Sequence, residues 1–366
     1  MINLLYDHQI FAMQRFGGIS RYYYELISRL NKHGDIDLSL YLGAHVNEYG
    51  LERYRSSYRR YWGWKHRSVP SASPLFSIFN RMIFRSFFIP TERDIYHQTY
   101  YGIHHATARC KRVVTVYDMI HENRPKEFPV RDRTIIAKKE AVSRADAVIC
   151  ISQATKNDLL RYYQLPEDRI RVIYLANSLT KKVASHQAVQ APYILYVGLR
   201  GGDKNFSLLT DVYASSDLIR KNFRLVCFGG GDFTPEERSR FLSLGIAGSV
   251  AHYSGPDERL ANLYRYASVF VYPSLFEGFG IPPLEAMHYG CPVLASNASS
   301  IPEVVGDGGL YFDPAKPDDL RQKLEELLVN GSLQDQLRSR GHAQEQKFSW
   351  DICAQETAGL YRTLTA

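Results

Sequence analysis

Residues 269–296 read VFVYPSLFEGFGIPPLEAMHYGCPVLAS. An apolar run at 269–272 gives way to a glycine-containing loop. A helix-like segment follows from about Pro282 or Pro283 to Tyr289, and a second apolar run, PVLAS, closes the stretch. Proline near the first helical position and Gly290 just past the last match the known asymmetry of helix ends. Strand, helix and strand in so short a span predict a parallel βαβ unit. The pattern extends upstream through YILYVG (193–198), RLVCFGG (224–230) and SVAHYSG (249–255). An earlier series comprises INLLY (2–6), DLSLYLG (37–43), RVVTVYD (112–118), DAVICIS (146–152) and RVIYL (171–175). Between the series, residues 176–192 are polar and turn-rich, as a linker would be. The expected fold is α/β, with doubly wound Rossmann-like domains over about 1–180 and 190–345. A length of 366 residues fits two domains of about 150–200 residues each.

Composition narrows the classes further. With 45% hydrophobic and 23% charged residues, the chain can bury a core and is not a disordered tail. The cysteines Cys110, Cys150, Cys227, Cys291 and Cys353 are scattered, with no metal-ligand or CxxC spacing. The start, MINLLYDHQI, lacks the basic and apolar regions of a signal peptide. No window reaches the roughly 18 apolar residues of a membrane span. These features predict a cytoplasmic protein. The formal charge of +7 invites a nucleic-acid reading, yet it is local. Residues 53–91 carry eight Lys/Arg and no Asp or Glu, leaving 37 basic against 38 acidic residues elsewhere.

Three segments carry candidate chemistry. After ILYVG, the loop LRGGDKN places Arg200 and Lys204 four residues apart at a strand end. It is not a P-loop, because Asp203 and Asn205 stand where the second glycine and the Ser/Thr would be. Ligands of open α/β sheets bind beyond the carboxyl ends of strands, and two cations there suit a diphosphate. Gly17 and Gly18 precede a helix-like segment whose N-terminus would accept an anion. Neither that pair nor Gly229-Gly230-Gly231 makes the GxGxxG of a nicotinamide enzyme. Glu277 and Glu285 stand eight residues apart, which in a helix is ~12 Å, beyond the ~5–9.5 Å of hydrolytic carboxylate pairs. Such a pair suits hydroxyls at two ends of one ligand.

Glu277-GFGIPPL-Glu285 has the E-x7-E form of the retaining glycosyltransferases of family 4, in the GT-B superfamily. The chain resembles that family in further segments in family order: Gly17-Gly18, Gly198 with Arg200 and Lys204-Asn205, Phe228-Gly229-Gly230, and Ser299-Ser300-Ile301-Pro302-Glu303. Within it, the chain looks most like mannosyltransferases that extend bacterial O-antigen or capsule glycans. The resemblance implies two Rossmann-like domains facing a cleft, the C-terminal one binding the nucleotide sugar. It also implies a last helix, about Trp350 to Leu364 within 345–366, crossing back to the N-terminal domain. Arg200 and Lys204 would then neutralise the donor diphosphate, joined by backbone N–H groups near Gly18. Glu285 would hold the ribose; Glu277, with the backbone of Phe279, Gly280 and Ile281, would hold the transferred sugar. Gly198 and Gly229 would line the donor site. The family usually has a His-Asp pair where this chain has Tyr117-Asp118. His97 or, less simply, His121 is the candidate substitute, the alternative being that the role is absent; Asp118 would orient the acceptor.

The expected reaction moves a hexose, mannose from GDP-mannose, to a hydroxyl of a glycan or polyprenyl-diphosphate-linked glycan with retention. No cofactor is expected, and no metal, since the two cations can replace one. Other GDP-, UDP- or dTDP-sugars remain alternatives, as does a sugar-nucleotide epimerase. A non-enzymatic alternative is a basic nucleic-acid-binding scaffold; binding of nucleic acid is not expected. The 53–91 stretch suits acceptor or membrane contact at the inner face of the cytoplasmic membrane, through Arg55, Arg59, Arg60, Arg81 and Arg85. Leu75, Phe79, Met82/Ile83 and Phe87 share its apolar helix face.

Overall fold

The computed structural model describes residues 1–66, 74–92, 94–102, 110–129 and 131–365. Arg67, counted in the basic stretch, and residues 68–73 lie outside the described residues. The chain divides into two units, Met1–Leu175 with Trp350–Ala366, and Ala176–Ser349.

The first unit is built on β1 (Ile2–Tyr6), β2 (Ile36–His45), β3 (Arg60–Lys65), β4 (Asp94–Gln98), β5 (Lys111–Val116), β6 (Ala147–Cys150) and β7 (Ile170–Val172). Their order is β3-β2-β1-β4-β5-β6-β7, with every ladder parallel. The second unit carries β8 (Tyr193–Val197), β9 (Arg224–Phe228), β10 (Val250–Tyr253), β11 (Val269–Tyr272), β12 (Val293–Ser296) and β13 (Gly309–Phe312). It is again fully parallel, in the order β10-β9-β8-β11-β12-β13. Each sheet reverses its winding beside its first strand, at β1/β4 and at β8/β11. Loops leaving the carboxyl ends of those strands part to opposite sides, opening a crevice for a ligand.

Strands buried on both faces read as apolar runs, which is why most of the ten seen in sequence stand out, although β7 and β10 are only partly buried. β3, RYWGWK, is an aromatic run with a basic residue at each end, at the sheet edge. β4 carries Asp94, His97 and Gln98 inside the unit, and β13 is only GLYF, so none of the three stands out by hydropathy. Leu5, Tyr41, Phe84, Phe88 and Tyr96 cluster under one part of the first sheet. In the second unit, Ile194, Leu209, Leu225, Val271, Leu294 and Leu324 anchor a larger core. Each such side chain contributes roughly 1.5–3 kcal/mol by burial.

The last helix, Trp350–Thr365, belongs with the first unit. The Tyr6 and Tyr361 hydroxyls are 2.7 Å apart, and His97 Nδ1 is 2.6 Å from the Tyr361 hydroxyl. Arg29 pairs with Asp351 at 2.7 Å and Arg362 with Asp35 at 2.8 Å. The segment expected as a linker is bound to the second unit instead. Tyr289 donates its hydroxyl to the carbonyls of Leu179 and Lys181, both at 3.1 Å. Asn262 accepts from Ala188 N–H at 2.9 Å and donates to the His186 carbonyl at 2.9 Å. An irregular strap satisfied by distant side chains has no period for a sequence reading to detect.

Candidate active site

The second unit's crevice lies between the loops that follow β8 and β11. Gly198, with φ +124°, turns the chain out of β8, and its N–H donates to the Phe228 carbonyl at 2.9 Å. Asn205, at φ 51°, caps the following helix, Phe206–Ser215. The Leu275 N–H donates to the Asp203 carbonyl at 2.7 Å, tying the two loops together. Across this junction Lys204 Nζ meets Glu277 Oε1 at 2.6 Å. A cation and a carboxylate from two strand ends therefore share one point. The lysine side chain is 31% exposed, so it remains open to an anionic ligand.

Arg200 is placed differently from the sequence expectation. Its Nε lies 2.7 Å from Glu237 Oε1, and its terminal nitrogens donate to the carbonyls of Gly229, Gly231 and Asp232 at 2.9–3.0 Å. Its guanidinium also sits 4.9 Å from the centre of the Phe233 ring. The side chain is only 4% exposed. Arg200 thus clamps the glycine loop after β9. A side chain at Gly230 (φ +71°) would meet the Gly198 carbonyl at 2.5 Å, so this junction needs glycine. Glu237 was missed; its signal was Thr234-Pro235-Glu236-Glu237, a capping box that opens the helix Pro235–Ser243. Against burial, which pushes it up, Arg200 and the Thr234 N–H hold the Glu237 carboxyl below its ordinary range.

The loop after β11 is held from beneath. Ser299 Oγ donates to the Glu277 carbonyl at 2.7 Å, while Ser300 Oγ lies 2.9 Å from the carbonyls of both Glu277 and Phe279. Gly280, at φ +107°, then starts the helix Ile281–His288, with proline in its first turn. Glu285 is buried on that helix and accepts from the Tyr264 hydroxyl at 3.0 Å. Burial and the Glu285 carboxylate push the Tyr264 hydroxyl well above its ordinary value. Glu277, Phe279, Gly280, Ile281 and Glu285 therefore follow one another around a single loop and helix start. The two serines were legible as a motif, though without a role.

The remaining expected residues lie in the first unit. Gly17 and Gly18 stand at the start of the helix Gly18–Leu30, where a Cβ on Gly18 would meet no atom within 4 Å. The Ser20 N–H of its first turn is taken by Gln14 Oε1 at 3.0 Å. Asp118 follows β5 with its carboxylate partly exposed, and Oδ1 accepts from the Ile120 N–H at 3.1 Å. Beneath it lies a fully buried cation. Lys138 Nζ donates to the Asp118 carbonyl at 2.9 Å and pairs with Glu122 Oε2 at 2.8 Å. Tyr163 donates to the other Glu122 oxygen at 2.7 Å. A lysine on a helix reads as a solvated residue, so this pair leaves no mark in the sequence.

His97 does not reach a ligand position. It has no exposed surface and lies 2.9 Å from the Thr115 hydroxyl, beside its bond to Tyr361. Burial pushes its pKa down to about 3, so it is a neutral packing group. Tyr117 is also buried, donating to the Tyr23 hydroxyl at 2.9 Å. His121 stacks on Phe128 at 4.0 Å and lies 3.0 Å from Asp132 Oδ1. In the basic stretch, Arg59 is drawn to Asp94 (3.3 Å) and Asp37 (3.5 Å). Arg60 bonds the Phe87 carbonyl at 3.3 Å. These two are tied to neighbouring groups although Arg59 is itself exposed, and Arg55, Arg81 and Arg85 are exposed as well. Among the described residues, no three His, Cys, Asp or Glu side chains gather as a metal-binding group.

Two fully parallel, doubly wound units with paired loops at the second unit's switch point define a GT-B class of fold. Residues 16–176 match the family described as Glycosyltransferase Family 4, and residues 179–344 match Glycosyl transferases group 1. The chain belongs to this glycosyltransferase family. It is 32% identical over 286 residues to the O-antigen chain mannosyltransferase B of Escherichia coli, covering 74% of each chain. It is 30% identical over 226 residues to the serotype-specific mannosyltransferase WbdA of Escherichia coli, covering 57% of this chain and 27% of that one. Among solved structures, the sucrose-phosphate synthase of Thermosynechococcus elongatus superposes with a TM-score of 0.78 at 18% identity, covering 100% of this chain and 99% of that one.

Proposed function

We propose that this chain is a retaining hexosyltransferase that moves mannose from GDP-mannose to a glycan hydroxyl in bacterial surface polysaccharide synthesis, without a metal ion. The observation that carries the reading is the Lys204–Glu277 contact of 2.6 Å at the β8/β11 switch point. When the sugar leaves its diphosphate, negative charge grows on the leaving group, and a preorganised cation acts most strongly there. Lys204 supplies that cation, and Glu277 beside it accepts hydrogen bonds from the hydroxyls of the sugar. Glu285, held by Tyr264, takes the ribose hydroxyls one helix turn and more away. Arg200 acts as a positioning residue that fixes the glycine loop flanking the diphosphate. Asp118, held from below by Lys138, orients the acceptor hydroxyl.

Mannose as the transferred sugar, and guanosine as the nucleoside, rest on the similarity to the O-antigen chain mannosyltransferase. The acceptor is a glycan, carried on a polyprenyl diphosphate, and the reaction is cytoplasmic. A panel of GDP-, UDP- and dTDP-hexoses with chelator present tests the reading through nucleotide release. Release from GDP-mannose, with a product of retained anomeric configuration, is expected. Release that requires a divalent ion, or an inverted product, contradicts it. An epimerised donor in the absence of acceptor would point to the alternative chemistry.

A further inference from the structure

The helix Pro74–Phe87 lies on β2, and a buried polar residue fixes which face it presents. Asn80 Oδ1 accepts from the Ala44 N–H at 2.7 Å, and its Nδ2 donates to the Ala44 carbonyl at 3.1 Å. The Tyr41 hydroxyl donates to the Asn80 carbonyl at 2.9 Å. Phe84 and Phe88 complete the inward face, packing with Leu5, Tyr41 and Tyr96. With Asn80 paired to a strand backbone, the helix cannot roll without burying unsatisfied polar groups.

The outward face also carries large apolar residues. Leu75 is 77% exposed, Ile78 56% and Met82 61%, with Phe79 between them. The spacing i, i+3, i+4 and i+7 makes this one stripe of the helix. Trp64, exposed at the end of the neighbouring edge strand β3, lies 6.1 Å from the Phe76 ring and extends the surface. The sequence expectation had Ile83 and Phe87 on the stripe; Ile83 instead packs partly inward, and Phe87 is exposed on a separate flank. A soluble surface helix shows the reverse arrangement, with apolar groups in and polar groups out.

Charge identifies the occupant. Arg81 and Arg85 border the stripe one turn apart, are exposed, and form no ion pair among the described residues. Elsewhere in the 53–91 stretch Arg59, Arg60 and Lys65 pair with Asp37, Asp94 and Glu48, which leaves Arg81 and Arg85 as the cations beside the stripe. We propose that the outward face of the Pro74–Phe87 helix, with Trp64, inserts into the surface of an anionic lipid bilayer. The 14-residue helix is ~21 Å long, short of the ~30 Å hydrocarbon core, so it lies flat in the interface. The stripe enters the acyl boundary while the two guanidinium groups meet lipid phosphates. This goes beyond the transfer reaction. Vesicle binding needs neither donor nor acceptor, so either reading can fail while the other stands.

Co-sedimentation with vesicles of phosphatidylcholine alone, and of phosphatidylcholine with an equal share of phosphatidylglycerol, tests it. The chain is expected to bind the anionic vesicles and to be released by salt. Arg81→Glu with Arg85→Glu is expected to weaken that binding at least about tenfold. Leu75→Ser, Ile78→Ser and Met82→Ser together are expected to weaken it about a hundredfold or more. All these positions are exposed, so far-ultraviolet dichroism and Tm are expected to stay as in the parent chain. If the serine variant fails to fold, the arginine pair decides alone. Equal sedimentation of parent and arginine variant, or no binding by the parent, overturns the proposal. So does a dimer that the serine substitutions convert to monomer with vesicle binding unchanged, because the face would then belong to a second copy.

Discussion

Lys204 and Arg200 sit four residues apart, yet their surroundings differ: Lys204 is partly exposed beside Glu277, and Arg200 is buried against Glu237. The Lys204–Glu277 pair is partly solvated, and such pairs add about 0–1 kcal/mol to stability. Lys204→Ala is therefore expected to leave Tm nearly unchanged while lowering kcat by roughly 10²–10³, or ~2–4 kcal/mol of transition-state stabilisation. Equal losses in Tm and in rate would make the lysine a structural tie only. Arg200 is buried against Glu237 and three carbonyls, so Arg200→Ala is expected to destabilise by about 2–4 kcal/mol, read by denaturant unfolding. An arginine variant as stable as the parent would contradict the clamp. From sequence these two cations look alike, because spacing places them on one loop but says nothing of Glu237, which arrives from a helix more than thirty residues on. The carboxylates were easier to read. Glu277 and Glu285 lie on one continuous loop and helix start, where spacing and structure coincide.

At the scale of elements, the last helix is locked to β1 and β4 through hydroxyl and imidazole groups with no access to water. His97 is neutral when folded, its pKa pushed by burial to about 3 from an ordinary 6.5. Once unfolded it takes up a proton near that ordinary value, so the folded state is fully stable above about pH 6.5 and loses stability as the pH falls. The loss is up to about 1.4 kcal/mol per pH unit. Thermal unfolding of the parent and of His97→Asn between about pH 6.5 and 4 is expected to show a shallower slope in the variant. Identical slopes would mean that His97 protonates inside the fold. The sequence placed a strand at VVTVY and a helix at the C-terminus, and both are present. It did not show that His97 serves the packing between them, since a lone histidine at a strand end has the same local sequence whether it faces a ligand or a tyrosine. The Ser299–Ser300 brace belongs to this scale as well. Ser300→Ala removes two hydrogen bonds from the loop backbone and is expected to raise the donor KM several-fold, with kcat less affected. A change confined to stability would reduce the brace to scaffolding.

Over the whole molecule, two parallel sheets were readable because strands buried on both faces write themselves as apolar runs. The division between the units was less so, since the strap at 176–192 is held by Tyr289 and Asn262, residues far along the chain. The last helix completes the first unit, burying Trp350, Cys353, Leu360 and Tyr361. A chain ending at Ser349 is accordingly expected to lose protease resistance in residues 1–175 before residues 176–349, as limited digestion with mass analysis would reveal. Simultaneous loss in both units would contradict that division. The proposed hexosyl transfer relies on a protein cation, Lys204, at the β8/β11 switch point. Turnover of GDP-mannose in the presence of chelator, compared between the parent and Lys204→Ala, tests it most directly. The parent is expected to release GDP at an undiminished rate and the variant about 10²–10³ more slowly. A parent silenced by chelator, or a variant as fast as the parent, would contradict it.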